Sequence, residues 1–160
     1  MSVKFKRYLF LFIGLSFFLF FLVNMRTEKD SNKEDKTLEL CIRENCFVVG
    51  VAKTENEREL GLMYKEELPQ EKGLLLVFED EGVQSIWMKN VLIPLDIIWI
   101  NSDLEIVSIK ENVSPCKKEP CLIYKNSTSA LYVLELNAGK VKEIGTREGD
   151  RVSIQTKKSI

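Results

Sequence analysis

The apolar residues after position 37 fall into short runs separated by turn residues, and this spacing limits the folds available to the chain. Runs such as "GLLLVF" (73–78) and "LDIIWI" (95–100) are six residues long, which is typical of strands and too short for buried helices. About eight such segments follow one another with two short helical segments and no regular strand–helix alternation. The pattern predicts a mostly β (α+β) fold, an antiparallel sheet curled into a small barrel or sandwich with two short helices.

Turn and capping residues place the predicted elements along the chain. Thr54 and Glu57 have the spacing of a capping box, and Gly61 is expected to end that helix. Asn137 is expected to cap a second helix that Gly145 ends. The strand predictions are a hairpin over residues 37–52 with its turn at 43–45, residues 73–78 paired across a turn at 79–82 with 84–88, a hairpin of 95–100 with 104–113, and strands at 130–136 and 150–156.

The N-terminal segment, residues 1–26, is basic and then apolar. Tyr8–Val23 carries no charged residue, and Lys4, Lys6 and Arg7 precede it without any acidic residue. A helix of this length spans roughly 24 Å, and extending it to Met25 approaches the ~30 Å of a bilayer core. The segment therefore predicts a single-pass anchor through residues 8–25, with the C-terminal domain outside the membrane. The alternative is a cleaved signal and a secreted or periplasmic domain, although "LVNMRTEKD" offers no small-residue cleavage site.

Four regions follow from this division of the chain. After the anchor, residues 27–36 are wholly polar and predict a flexible tether. Residues 37–156 predict one globular β-rich domain, and residues 157–160 a tail.

Charge and composition exclude several functions. Beyond residue 26 the chain has 19 basic and 24 acidic side chains, a balance of −5 that suits nucleic acid poorly. The sequence has no histidine, which excludes Ser-His-Asp chemistry, Cys-His nucleophiles and His-ligated metals. We predict no nucleic-acid partner, no metal and no cofactor.

The cysteines form two pairs of equal spacing, Cys41 with Cys46 and Cys116 with Cys121. An even count in an exported domain predicts disulfides. Each would close a short loop and stabilise the folded domain by roughly 2 kcal/mol. A zinc site and a redox-active dithiol are the alternatives, although neither pair has the Cys-x-x-Cys spacing.

The stretch "SIWMKNVLIPLDIIWI" (85–100) is mostly apolar, but Lys89, Asn90 and Asp96 interrupt it. Pro94 cannot donate in a central ladder, so residues 89–94 are expected to connect two strands. Glu135 also lies on an apolar strand face, and buried carboxylates need partners.

Lys89 and Arg58 are the cations available to these carboxylates. One interpretation is a structural ion-pair network, and the other is a small pocket with Trp87 or Trp99 as its aromatic wall. The candidate binding residues are Trp87, Lys89, Asn90, Asp96, Glu135 and Arg58.

Six ordered motifs resemble one family. They are "ERELGLM" (57–63), "WMKN" (87–90), "IPLDIIWI" (93–100), "PCKKEPC" (115–121), "YVLELNAG" (132–139) and "REGDRV" (147–152). Together they resemble the family catalogued as domain of unknown function 192, over residues 38–156. The resemblance implies a small, mostly β domain, often exported or membrane-anchored, without a settled activity. The matching positions are Arg58, Gly61, Met63, Trp87, Met88, Lys89, Asn90, Pro94, Asp96, Cys116, Cys121, Glu135, Gly139 and Gly149; the Cys41–Cys46 pair is not part of the pattern.

The sequence thus favours a membrane-tethered extracytoplasmic module that binds a small ligand or serves as an accessory of the cell envelope. The alternative from another class is a hydrolase that uses Asp96 and Glu135 as acid and base. A third is thiol–disulfide exchange.

Overall fold

The computed structural model describes residues 36–158, which form nine strands and two short helices. In chain order the elements are β1 (Lys36–Ile42), β2 (Asn45–Ala52), α1 (Glu55–Leu60), β3 (Lys72–Gly82), β4 (Ser85–Trp87), β5 (Leu95–Ile100), β6 (Ile106–Val113), β7 (Ile123–Lys125), β8 (Ala130–Asn137), α2 (Lys140–Ile144) and β9 (Val152–Lys158). The prediction of a mostly β fold with two short helices is therefore confirmed.

The terminal strands of the described part extend slightly beyond the predicted domain, residues 37–156. The predicted anchor (1–26) lies outside the described residues, as does the tether (27–36) apart from Lys36, which begins β1. At the other end β9 continues to Lys158, so the predicted tail begins inside a strand. Within residues 36–158, no helix has both the length and the apolar character that a bilayer crossing requires.

Seven strands form one mixed sheet in the order β6-β5-β8-β3-β2-β1-β9. Every neighbouring pair is antiparallel except β2 and β3, which run parallel. The prediction of an antiparallel sheet is wrong at this pair. Parallel strands need a crossover connection, and the segment containing α1 supplies it.

The two edge strands of this sheet, β6 and β9, meet only at one end. An isolated antiparallel bridge joins Glu105 to Arg151, and the backbone N–H of Ile106 donates to the carbonyl of Asp150 at 2.9 Å. Residues at the ends of the two edge strands therefore contact each other, but within the described residues these strands do not pair along their length and no closed barrel is formed.

β4 belongs to a second, two-stranded sheet. It pairs antiparallel with β7, placing Trp87 opposite Ile123. The predicted pairing of residues 84–88 with 73–78 is wrong, because β3 continues to Gly82 through the predicted turn. β7 is absent from the sequence prediction since its three residues are too few to show an alternating pattern.

The first helix follows its sequence signals, whereas the second begins elsewhere. Thr54 and Glu57 form the predicted capping box, and Gly61 caps the C-terminus of α1. Asn137 does not cap α2: it ends β8, and its side-chain amide donates to the carbonyl of Leu68 at 2.7 Å. Gly139 occupies the N-cap position of α2 and provides no side-chain acceptor.

Both predicted disulfides are present, Cys41–Cys46 across the β1–β2 hairpin and Cys116–Cys121 in the loop between β6 and β7. Because these bonds consume all four thiols, the described residues retain no thiolate for the zinc alternative.

The two faces of the large sheet carry separate apolar clusters. Ile98 and Leu134 are paired members of one cluster, while Trp99 and Val133 are paired members of the other. Trp99 is fully buried, and its indole N–H donates to the carbonyl of Gln84 at 3.1 Å. Trp99 is therefore a core residue and does not form a pocket wall.

Candidate binding site

One cavity of about 460 Å³ lies where α1 and the residues after it cover β3, β4 and β8. We call it the main cavity. Its charged lining residues are Glu55, Arg58, Glu59, Lys89 and Glu135, and its aromatic lining residues are Phe78 and Trp87. Four of the six predicted binding residues, Arg58, Trp87, Lys89 and Glu135, thus share one cavity.

Glu135 is the buried carboxyl group of the main cavity. It lies in β8, a central strand, where Leu74 of β3 and Ile97 of β5 are its partners on either side. The residue is 5% exposed, and its Oε2 atom has no hydrogen-bond partner among the described residues. Desolvation raises the pKa of this carboxyl to about 7, because burial disfavours the charged form.

The end of α1 lies directly beside this carboxyl group. Gly61 has φ +43, a value that side-chain-bearing residues rarely adopt, and a Cβ at this position would lie 3.9 Å from Oε2 of Glu135. The positive φ, and not a lack of space beside Glu135, therefore favours glycine at the end of α1.

The two cations of the cavity are held by groups other than Glu135. Arg58 donates through Nη1 to the carbonyl of Val77 at 2.9 Å and to that of Lys53, and its guanidinium lies 5.1 Å from the Phe78 ring centroid. Neither Arg58 nor Lys89 forms an ion pair with Glu135 within the described part of the chain. The predicted ion-pair network around Glu135 is therefore not formed.

Lys89 pairs instead with Glu119, at 3.1 Å between Nζ and Oε1. Its ammonium group also lies 5.5 Å from the centroid of Trp87. Glu119 reaches this position because the Cys116–Cys121 loop is attached beside β4, where the Cys116 N–H donates to the carbonyl of Met88 at 3.2 Å. The sequence shows Glu119 as an acidic residue inside the disulfide loop, but it does not show that this loop folds back onto β4 and brings Glu119 to Lys89.

Asn90 lies beside a second cavity of about 390 Å³, which we call the side cavity. Its amide donates to the hydroxyl of Tyr64 at 2.9 Å. Trp87 and Lys89 line both cavities, whereas Asn90 lines the side cavity and not the main one. Tyr64 is therefore a candidate contact residue that sequence reasoning missed, since nothing in its neighbourhood distinguishes it from an exposed loop residue.

Asp96 lies outside both cavities and has a different role. The side chain is fully buried, Oδ1 accepts the backbone N–H of Asn112 at 2.8 Å, and Oδ2 accepts that of Val141 at 2.8 Å. Val141 is in the first turn of α2, so Asp96 supplies the cap that Gly139 lacks. Asn112 lies where the β5–β6 register shifts, and there the carboxylate accepts its N–H.

The strand register separates Asp96 from Glu135. Asp96 pairs with Leu136, and Ile97 pairs with Glu135, so the two carboxylates point to opposite faces of the sheet. A general acid and a general base must reach the same substrate bond. The predicted acid–base pair is therefore wrong as a pair.

Among the described residues, the acidic side chains of the main cavity do not bring three carboxylate ligand atoms within 4.8 Å of one another. Within the described residues, Glu39, Cys41 and Cys46 are the group that brings three potential ligand atoms within 4.8 Å of one another. Two of those atoms are the sulfurs of a disulfide, which are not thiolate ligands.

Comparisons with known proteins agree on the fold and leave the activity open. Residues 38–154 match the model of DUF192, described as "Uncharacterized ACR". No curated protein matches the chain. A crystal structure from Sinorhizobium meliloti 1021, whose name proposes a transcription regulator, is 36% identical with a TM-score of 0.66, covering 74% of this chain and 92% of its own. A protein of unknown function from Novosphingobium aromaticivorans DSM 12444 is 28% identical with a TM-score of 0.67, covering 73% of this chain and 83% of its own.

Proposed function

The chain belongs to the DUF192 family of uncharacterised proteins, and from its geometry we propose that the domain is a binding module that takes a small ligand in the main cavity. The observation that carries this proposal is Oε2 of Glu135, a buried acceptor without a partner among the described residues, beside a cavity. Leaving such a group unsatisfied costs roughly 1–3 kcal/mol, which a ligand that donates a hydrogen bond would recover.

The size and walls of the cavity support the same function. A volume of about 460 Å³ falls within the range of small-molecule sites. Buried Leu62, Leu76 and Ile86 form an apolar floor, and the Trp87 ring, 38% exposed, stands at the rim. Apolar walls with a few convergent polar groups are the usual composition of a ligand site.

We further propose that this module is displayed outside the membrane by the apolar segment at residues 8–25. The support is the sequence of that segment together with two disulfides, which persist in oxidising compartments. A ligand could then be free in that compartment or belong to the cell envelope. The scaffold would be a small barrel-like sheet, supported by the contact between β6 and β9.

We do not propose that this chain regulates transcription, although the name of the Sinorhizobium structure refers to a transcription regulator. Residues 27–160 have five more acidic than basic side chains, which opposes binding to phosphates. A hydrolase based on Asp96 and Glu135 is not proposed either, because the two lie on opposite faces.

The function is tested by replacing the aromatic wall, in the variant Trp87→Ala. A thermal-shift screen of the full chain against sugars, amino acids, amines and envelope fragments should identify compounds that raise Tm. A compound present at ~100 times its Kd should increase the free energy of unfolding by about 2.7 kcal/mol. Trp87→Ala should weaken those compounds about tenfold or more, because the stacking surface is lost. Calorimetric titration of the hits measures the loss.

Ile123→Ala is the matched control for this substitution. Ile123 is the register partner of Trp87 in the small sheet and is 61% exposed, but it does not line the main cavity. It should leave the affinity unchanged. A screen in which no compound raises Tm, or hits that lose affinity equally in both variants, would contradict a site in this cavity.

A further inference from the structure

Resting on the proposed function, we propose that the ligand of the main cavity carries an ammonium group, which donates to Oε2 of Glu135, on an apolar or aromatic stem. The buried carboxyl group lines the cavity and its oxygen has no partner among the described residues. Among possible donors, a cation recovers the most, since charge-assisted hydrogen bonds are about twice as strong as neutral ones.

The charges around the cavity favour a cationic ligand. Its lining has three acids, Glu55, Glu59 and Glu135, and two bases, Arg58 and Lys89. Both bases are already held, Arg58 by two backbone carbonyls and Lys89 by Glu119. An anionic ligand at Lys89 would have to compete with Glu119, whereas an ammonium group would meet the unpartnered carboxyl group of Glu135 directly.

The remaining walls suit the stem of such a ligand. Met63, Ile86 and Val91 are apolar, and Trp87 presents an indole at the rim. The strand partners of Glu135, Leu74 and Ile97, are apolar as well, so no further charge faces the carboxyl group from β3 or β5 at this register. The site should therefore select ligands by the charge of the group that meets Glu135 and by the shape of the apolar stem that packs against the walls.

The ionisation of Glu135 gives the proposal a measurable pH dependence. With a pKa of about 7, the carboxyl group of the empty site is largely protonated at pH 6 and largely ionised at pH 8. An ammonium group binds the ionised form. Its affinity should therefore rise about tenfold between those values, while the amine itself stays protonated.

Three probes of one shape test the ligand class: 2-phenylethylammonium, 2-phenylethanol and 3-phenylpropionate. Calorimetric titration of the full chain at pH 8 should rank the ammonium compound at least tenfold above the other two. At pH 7 it should also show proton release for the ammonium compound, measured as a dependence of the binding heat on the buffer. These titrations use only the wild-type protein, so their result does not depend on whether a variant folds.

Glu135→Gln and Glu111→Gln separate the proposed contact from general attraction by acidic side chains. Glu111 is exposed on β6 and does not line the main cavity. Glu135→Gln should lower the affinity for 2-phenylethylammonium by roughly 10- to 100-fold and remove its pH dependence. Glu111→Gln should change the affinity less than threefold and keep the pH dependence.

Equal loss of affinity in the two variants, or binding of the alcohol as tight as that of the ammonium compound, would overturn the ligand class. The two proposals fail separately. If the alcohol or the propionate binds and Trp87→Ala weakens it, the cavity remains a binding site and the ammonium assignment is wrong.

Discussion

Replacing Asp96 with alanine should destabilise the domain by about 4 kcal/mol, because the substitution leaves one buried and one partly buried backbone N–H group without its acceptor. The buried group belongs to Val141 in α2 and the partly buried one to Asn112 in β6, each 2.8 Å from a carboxyl oxygen. Hydrogen bonds to a charged group contribute about 1.5–3 kcal/mol each, and stranding the buried donor of Val141 adds a desolvation cost. Urea unfolding followed by tryptophan fluorescence measures the change.

Two further variants, Asp96→Asn and Asp103→Ala, should lose less stability than Asp96→Ala. The asparagine keeps one acceptor oxygen and places an NH₂ group against the other backbone donor, so we expect a loss of about 2 kcal/mol. Asp103 is exposed in the β5–β6 turn, and its substitution should change the free energy of unfolding by less than about 0.5 kcal/mol. If Asp96→Ala were as mild as Asp103→Ala, Asp96 would not join α2 to the sheet.

Glu135 should make the stability of the domain fall as the pH rises from about 4.5 to about 7. In the unfolded chain the carboxyl ionises near its ordinary pKa of 4.5, while in the folded chain burial holds the pKa at about 7. Below 4.5 both states are protonated and the group contributes no difference. Across the window only the unfolded state releases the proton, which lowers the free energy of unfolding by roughly 3 kcal/mol, and above 7 the difference stays constant.

Glu135→Gln should remove this fall, so that the variant is more stable than the wild type at pH 8 and close to it at pH 4.5. Urea unfolding across the pH range measures both curves. Glu59→Gln replaces an exposed acid of the same cavity and should retain the wild-type fall. A wild-type curve without a Glu135-dependent fall would mean that the carboxyl group is hydrated or paired.

The features that could be predicted from the sequence are those that short stretches encode. The capping box at Thr54 and Glu57 forms because both partners lie within one turn, and the Cys41–Cys46 bridge forms within one hairpin. The β5–β6 hairpin likewise follows from two apolar runs around a polar turn. Each requires only neighbouring residues to meet.

The errors concern contacts between distant segments. The partner of Lys89 is Glu119, thirty residues away, because the disulfide loop folds back onto β4. Asp96 was expected to need a cation, but two backbone amides, one at a register shift and one in an uncapped helix, satisfy it. Neither irregularity has a local sequence signal that identifies a side-chain acceptor on another strand.

The polar residues of residues 85–100 thus divide between two functions. Asp96 joins α2 to one face of the sheet by accepting the backbone N–H of Val141. Lys89 and Trp87 line the main cavity, which lies on the face that carries Glu135. The pocket interpretation and the structural interpretation each describe part of the stretch.

The most direct test of a buried, unpartnered carboxyl group in the main cavity is the pKa of Glu135 itself, from the ¹³C chemical shift of its carboxyl carbon during a pH titration. We expect a midpoint of about 7 in the unliganded protein. A midpoint near the ordinary 4.5 would show that the group is solvated or already paired, and would contradict the binding site built on it.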